Sequence, residues 1–129
     1  MVKKVFLIDI ARATDVSNVS SLNPMPAGVV PVSKVLFLDL LAALTAKGMA
    51  AVDIPAKLEG MAFGQDVLVG GQTKHTLYIS TDNDFLAMTK KTVAGTVTMV
   101  ANPNVFLVFA FDAGDLPGYQ PQQFIGNDD

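Results

Sequence analysis

Cysteine is absent from the sequence, which excludes disulfides, thiolate catalysis and sulfur-ligated metals. Histidine occurs once, as His75, so a Ser-His-Asp triad would have to use this residue. His75 follows "GGQT" and Lys74, and we interpret it as an exposed turn residue. The chain has no G-x-S-x-G motif, and "GQDVLVGGQTK" lacks the Gly-Lys-Ser/Thr ending of a phosphate-binding loop. The sequence therefore assigns no catalytic residue.

Charge is also sparse. Charged residues make up 16% of the chain, with 9 basic and 12 acidic residues and a net charge of −3. Basic residues are adjacent only at Lys3-Lys4 and Lys90-Lys91, too few for a surface that binds a phosphate backbone. We therefore expect no nucleic-acid partner.

Long apolar runs are missing although half of the residues are hydrophobic. A membrane-spanning helix needs roughly 20 consecutive apolar residues, and we expect no such span. The opening "MVKKVFLIDIARATD" is interrupted by Asp9, and no cleavage site of small residues follows, so we expect no export signal in this stretch. The high apolar content predicts a folded domain with a core rather than a disordered chain.

Short apolar segments separated by turn-forming residues predict an all-β fold. About five to seven strands in an antiparallel meander are expected, together with one short helix that follows the second strand and stops at Gly48. A long loop with three prolines between residues 24 and 31 separates the first two strands, and Gly70-Gly71 is expected to form a hairpin turn. The predicted strands are Lys3 to Ile10, Lys34 to Leu40, Lys57 to Gly64, His75 to Thr81, Thr92 to Ala101 and Asn104 to Asp112, and the predicted helix is Leu40 to Met49.

Carboxylates stand at the ends of two of these strands. Glu59 precedes Gly60 in "KLEGMAFG", and Asp82-Asn83-Asp84 ends the run "HTLYISTDND". Alternation along a strand would direct Asp82 and Asp84 to one side and Asn83 to the other. Hard oxygen ligands without nearby histidine or cysteine suit calcium or magnesium better than zinc. An EF-hand is excluded because the sixth and twelfth positions counted from Asp82 are alanine and valine. The alternative is an Asx-rich turn whose side-chain oxygens accept backbone N–H groups.

Several stretches together resemble the C-terminal part of the esterase-like phytase family. They are, in order, "IDIARATDVSNVSSL", "PVSKVLFLDL", "KLEGMAF", "LYISTDNDF" and "NVFLVFAFDAGDLPGYQPQ". The resemblance implies a β-propeller, in a family whose members are several times longer than one blade and often secreted or periplasmic. Residues 1–129 would then form a single domain equivalent to about two blades, with about 1–55 as the end of one blade plus long loops and about 56–129 as the following blade.

The resemblance also implies a location for the carboxylates. Loops at the ends of propeller strands form the rim where ligands bind, so Glu59, Asp82, Asn83 and Asp84 would gather at one end of adjacent strands. We expect carboxylates of Glu59 and of Asp82 or Asp84 within about 8 Å of each other, a span that one calcium ion and a water would bridge.

Three functions are open at this stage. The chain is a fragment or truncated relative of a metal-assisted phosphoester or ester hydrolase, inactive alone, that acts on a small phosphorylated or ester substrate. Alternatively it is a non-catalytic binding or assembly module derived from a propeller, or a structural piece whose carboxylates only cap turns. In each case an incomplete propeller predicts self-association or association with missing blades, because it exposes strand edges.

Overall fold

The computed structural model describes residues 2–121, and this part of the chain contains eight strands, one α-helix and two 3-10 helices. Most of its regular structure is antiparallel sheet, so the predicted all-β class with one short helix is confirmed. The strands are β1 Lys4–Asp9, β2 Ser33–Asp39, β3 Leu58–Phe63, β4 Val67–Val69, β5 Gln72–Thr81, β6 Met88–Val93, β7 Thr96–Ala101 and β8 Phe106–Phe111. The helix α1 is Leu40–Ala46, and the 3-10 helices are Ala51–Asp53 and Ala113–Asp115.

The fold divides into two compact units between Ile54 and Pro55. Whether the units correspond to propeller blades stays a prediction. No helix within residues 2–121 is long and apolar enough to cross a membrane.

The first unit is built on the antiparallel pair β1 and β2, which are joined by the proline-rich loop. The register shifts between Val5 and Phe6, which marks an irregularity in this ribbon. Helix α1 follows β2 directly, and Asp39 caps its first turn by accepting a hydrogen bond from the Ala42 N–H at 3.1 Å. The helix ends earlier than predicted, at Ala46, and buries Leu40 and Leu44.

The second unit is centred on β5, the longest strand. β3 and β4 pair in succession with one edge of β5, and β8 pairs with the other edge. Thr76, Leu77 and Ile79 of β5 are buried. The Thr76 hydroxyl donates to the Gln65 carbonyl at 2.8 Å, so this buried polar group is satisfied.

Two tight turns form hairpins in this unit. Gly70 and Gly71 connect β4 to β5 with φ values of 58° and 80°, which confirms the predicted hairpin turn. Ala94 and Gly95 connect β6 to β7 with φ values of 47° and 81°. The sequence predicts one strand from Thr92 to Ala101, and this prediction is wrong because the chain reverses at Ala94-Gly95.

Two glycines, one in β3 and one directly after it, allow the backbone to approach β5 closely. Gly60 lies opposite Ser80, and Gly64 follows the strand and donates its N–H to the Thr76 carbonyl at 3.0 Å. A methyl group at Gly60 would overlap the Ser80 hydroxyl, and one at Gly64 would overlap the Tyr78 ring. The glycine of "LEG" is thus explained by packing against the neighbouring strand.

Candidate functional site

The pairing of β3 with β5 brings the start of one strand to the end of the other. Leu58 lies opposite Thr81, and the Asp82 N–H donates to the Lys57 carbonyl at 3.3 Å. Lys57 comes just before Leu58, and the Asp82-Asn83-Asp84 triplet comes just after Thr81. Both therefore lie at the same end of the sheet.

Three carboxylates surround the ammonium group of Lys57 at this end. The Lys57 Nζ lies 3.6 Å from Glu59 Oε1 and 3.0 Å from Asp82 Oδ2, and it donates a hydrogen bond to Asp84 Oδ1. We call these four residues the Lys57 cluster. Because Glu59 Oε1 and Asp82 Oδ2 both lie this close to Lys57 Nζ, the distance between the two carboxylate oxygens is below the expected limit of about 8 Å. The structure thus brings Glu59, Asp82 and Asp84 together around a cation supplied by the chain itself.

The cluster shifts the pKa of two of its members. Hydrogen bonds to Asp84 and then to Asp82 raise the pKa of the Lys57 ammonium. The pKa of the Asp82 carboxyl is lowered, first by the hydrogen bond from the Asp84 backbone N–H and then by the one from Lys57. With three carboxylates and one ammonium, the charged cluster carries a net charge of −2. Its side chains are between 37% and 54% exposed, so water and salt screen these interactions.

β5 ends at Thr81 and Asp84 has a φ of 53°, so the alternation predicted for an extended triplet does not apply, and Asn83 has its hydrogen-bond partners outside the cluster. Its Nδ2 donates to the Asn102 carbonyl at 2.9 Å, and its Oδ1 accepts the Phe85 N–H at 3.0 Å. In the opposite direction, Asn102 Nδ2 donates to the carbonyls of Asn83 at 3.2 Å and Leu86 at 3.1 Å. This Asn83–Asn102 clamp closes the base of the β6–β7 hairpin. Asn83 would reach a cation only after giving up these bonds.

The triplet also forms the Asx-rich turn that the sequence leaves open as an alternative. Asp82 Oδ1 accepts the Asp84 N–H at 2.8 Å, while Oδ2 of the same carboxylate contacts Lys57. Asp84 and Phe85 have φ values of 53° and 58°, a left-handed conformation that the side-chain oxygens of Asp82 and Asn83 support. Turn capping and the gathering of carboxylates therefore coexist.

Lys57 is the member of the site that the residue pattern does not predict. Its only local signal is the spacing Lys57-x-Glu59, which places both side chains on one face of a strand. Within residues 2–121, no three His, Asp or Glu side chains lie close enough together to hold a metal ion as they stand. A calcium ion at Glu59, Asp82, Asn83 and Asp84 remains a prediction, and it requires Lys57 to leave.

His75 lies in β5 and is not the exposed turn residue that the sequence suggests. Its side chain is 16% exposed, and Nδ1 lies 2.8 Å from Asp66 Oδ1. The Tyr119 ring meets the imidazole edge-on at 4.8 Å and contacts the Phe63 ring at 4.6 Å. The expectation failed because β5 extends back to Gln72, so His75 is part of the packed sheet.

The family model described as "Phytase-like: Esterase-like activity of phytase" matches residues 1–85. The chain belongs to this phytase-like family. Comparisons with curated proteins and with solved structures found no match. The matched part of this phytase-like chain contains every residue of the Lys57 cluster and ends at Phe85, whereas β6, β7 and β8 follow it. The resemblance found in the sequence is confirmed at the level of the family.

Proposed function

We propose that this phytase-like chain contributes the cation-binding part of a larger phosphoester or ester hydrolase site. The observation that carries the proposal is the convergence of Glu59, Asp82 and Asp84 on one positively charged nitrogen. Family membership supports the reaction class. The three carboxylates are the proposed ligands, and calcium is the proposed ion because it accepts irregular sets of oxygen ligands completed by water.

The charge of the cluster argues for a cation between the protein and an anionic substrate. A net charge of −2 repels a phosphate group, so Lys57 alone does not prepare the site for one. A divalent cation held by the carboxylates would offset most of their negative charge, present a positive ion to the substrate, polarise it and activate a water molecule. Lys57 competes with such a cation for the carboxylates, because its ammonium group occupies the point on which they converge.

Catalysis by this chain alone is expected to be low. Electrostatic stabilisation of a transition state is strong in a site that excludes water. The side chains of the Lys57 cluster are all at least 37% exposed, so a bound substrate would remain open to solvent. We propose that additional walls come from outside residues 2–121.

A calcium titration of three variants tests the cation site. Lys57→Met should bind calcium about tenfold more tightly than the wild type in calorimetry, because the competing ammonium is gone. Lys74→Met is the matched control, since Lys74 also pairs with a carboxylate, that of Asp112, away from the cluster. It should leave calcium binding unchanged. Glu59→Gln added to Lys57→Met should reverse the gain.

Absence of calcium binding in all of these variants would contradict the cation site. It would favour the second candidate, a non-catalytic binding or assembly module. The observation in favour of that candidate is that Lys57 already pairs with all three carboxylates within the chain.

Hydrolysis is tested separately with phytate and a phenyl ester in the presence of calcium. We expect turnover near the background rate. Robust turnover that Glu59→Gln abolishes would overturn the expectation of low activity and would place Glu59 in a complete site.

A further inference from the structure

Strand β8 forms an edge of the second unit that no other described strand covers. It pairs with β5 on one side, and within residues 2–121 no strand pairs with its other side. Its sequence "FLVFAF" contains no charged residue and no proline. Phe106 and Val108 are 71% and 51% exposed. A flat, uncharged edge of this kind is a template for pairing with another strand.

The hydrogen bonds of β5 identify which backbone groups point outward from this edge. The Thr81 N–H donates to the Val105 carbonyl at 3.0 Å, so Val105 faces β5. Successive residues in an antiparallel strand direct their N–H and C=O groups to opposite edges. Every second residue after Val105 therefore also directs its N–H and C=O groups toward β5. These residues are Leu107, Phe109 and Phe111. The groups of Phe106, Val108 and Ala110 face outward.

Most other strands at the edges of sheets in this part of the chain carry charges, are irregular or are very short. β1 and β2 contain Lys4 and Lys34, and β1 has the register shift after Val5. β6 contains Lys90 and Lys91, β3 contains Glu59 beside its own register shift, and β4 has only three residues. These features discourage pairing with another chain.

Strand β7 also lacks charge, but it belongs to a ribbon of two strands. β6 and β7 pair only with each other among the described strands. Such a ribbon is marginally stable by itself and offers a poor template. β8, in contrast, is the edge of a sheet whose central strand is buried.

We propose that β8 pairs antiparallel with β8 of a second copy of this chain, with Val108 opposite Val108 across a two-fold axis. This register places Phe106 opposite Ala110 of the other copy, so all outward-facing residues enter hydrogen-bonded pairs. About six hydrogen bonds between the copies result, since each such pair exchanges two. No charged side chain of either β8 opposes the pairing. The two-fold axis closes the assembly at two copies.

The same register keeps the faces of the two sheets aligned. Residues directly opposite each other in an antiparallel pair project to the same face. Phe106, Val108 and Ala110 of both copies would then continue one face, and Leu107 and Phe109 would continue the other. The result is one sheet that crosses the two-fold axis through both copies of β8 and extends to β5 and β3 on each side.

Proline scanning of the two uncharged edges tests the proposal by sedimentation equilibrium. The wild type should be a dimer at micromolar concentrations. Val108→Pro should be monomeric, because it removes an outward N–H without removing a bond to β5. Met99→Pro is the matched control, since the Asn102 N–H donates to the Ala87 carbonyl at 2.9 Å and Met99 on β7 therefore faces outward too. This control should remain dimeric.

Val108→Lys provides a second way to disrupt the same edge if Val108→Pro fails to fold, and it should also be monomeric. A monomeric wild type at high micromolar concentration would overturn the proposal, and would fit an edge that pairs instead with a strand elsewhere in a longer polypeptide. A dimer that survives both Val108 substitutions would overturn it as well, as would a wild-type assembly larger than two copies.

Oxidative cross-linking tests the register. The chain has no cysteine, so Val108→Cys introduces a single thiol. Directly opposite residues in a hydrogen-bonded pair have Cα atoms about 5.5 Å apart, within the range that a disulfide spans. Val108→Cys should form a covalent dimer on mild oxidation, while Met99→Cys should remain monomeric in a denaturing gel. Equal cross-linking of both variants would contradict the proposed register.

Discussion

The β5-centred sheet and the β6–β7 hairpin contain similar strands but differ in burial. Leu77 and Thr76 on β5 are each 1% exposed, and β5 has a neighbouring strand on both edges. In the hairpin, Met88, Val97 and Met99 are about half exposed. The comparison shows that apolar composition alone does not bury the side chains of a strand, since the hairpin strands pair only with each other among the described strands.

The hairpin depends instead on its turn and its base. Its two-residue turn at Ala94-Gly95 matches the twist of a β-ribbon. At its base, the Asn83–Asn102 clamp connects the hairpin to the end of β5. The two regions should therefore respond differently to mutation: the sheet to loss of packing, and the hairpin to loss of a hydrogen bond.

Leu77→Ala should have the largest effect on stability. Truncating a fully buried leucine leaves a cavity and costs about 2–5 kcal/mol of the free energy of unfolding. Val97→Ala on the exposed hairpin is the control, with an expected change within about 0.5 kcal/mol. Urea unfolding measures both. Equal losses in the two variants would contradict the difference in burial.

Asn102→Ala should have an intermediate and local effect. It removes the donor to the Asn83 and Leu86 carbonyls, a loss of about 1–2 kcal/mol. Amide hydrogen exchange in β6 and β7 should accelerate by about tenfold while exchange in β5 stays unchanged. Asn104→Ala, an exposed asparagine in the connection that follows, is the control and should change neither. Faster exchange throughout β5 would mean that the hairpin is part of the cooperative core.

The sequence is sufficient to predict most of β5 and all of β8, because "LYI" and "FLVFAF" are short apolar segments next to turn-forming residues. It does not reveal the reversal at Ala94-Gly95, since the flanking threonines and valines suit one strand as well as two. It also places His75 in a turn, because the polar residues Gln72 to Lys74 conceal the start of β5. Strand boundaries depend on which partner covers a segment, and that information is not local.

The candidate site also contains residues that the sequence predicts and residues that it does not. The positions of Glu59 and of the triplet at strand ends can be predicted from the sequence. The orientation of Asn83 cannot, because it follows from the turn at Asp84 and not from strand alternation. The role of Lys57 cannot be predicted either, because a lysine before an apolar strand is typical of a solvated residue. Only the register that sets Leu58 opposite Thr81 brings its ammonium group to the carboxylates. Residue types predict the ligands, but strand pairing determines which charge they meet.

The smallest expected effect is on the pH dependence of stability. The folded pKa of Asp82 lies below its unfolded value, so its contribution to stability is fully present above the unfolded pKa, near 4, and is lost as pH falls through the folded pKa. Asp82→Asn keeps an oxygen for the Asp84 N–H but loses the charge. The wild type should therefore lose more melting temperature than Asp82→Asn between pH 6 and pH 2, scanned in about 0.5-unit steps.

Asp15 provides the control for this experiment, because its pKa is also lowered but by hydrogen bonds from Ser17 and not by a lysine. Salt should reduce the effect of Asp82→Asn, since part of the Asp82 shift comes from Lys57. The effect of Asp15→Asn should change little with salt. If the Asp82→Asn effect also persists unchanged at high salt, the Asp84 N–H alone accounts for the shift, and Lys57 is too well screened to hold the carboxylates together.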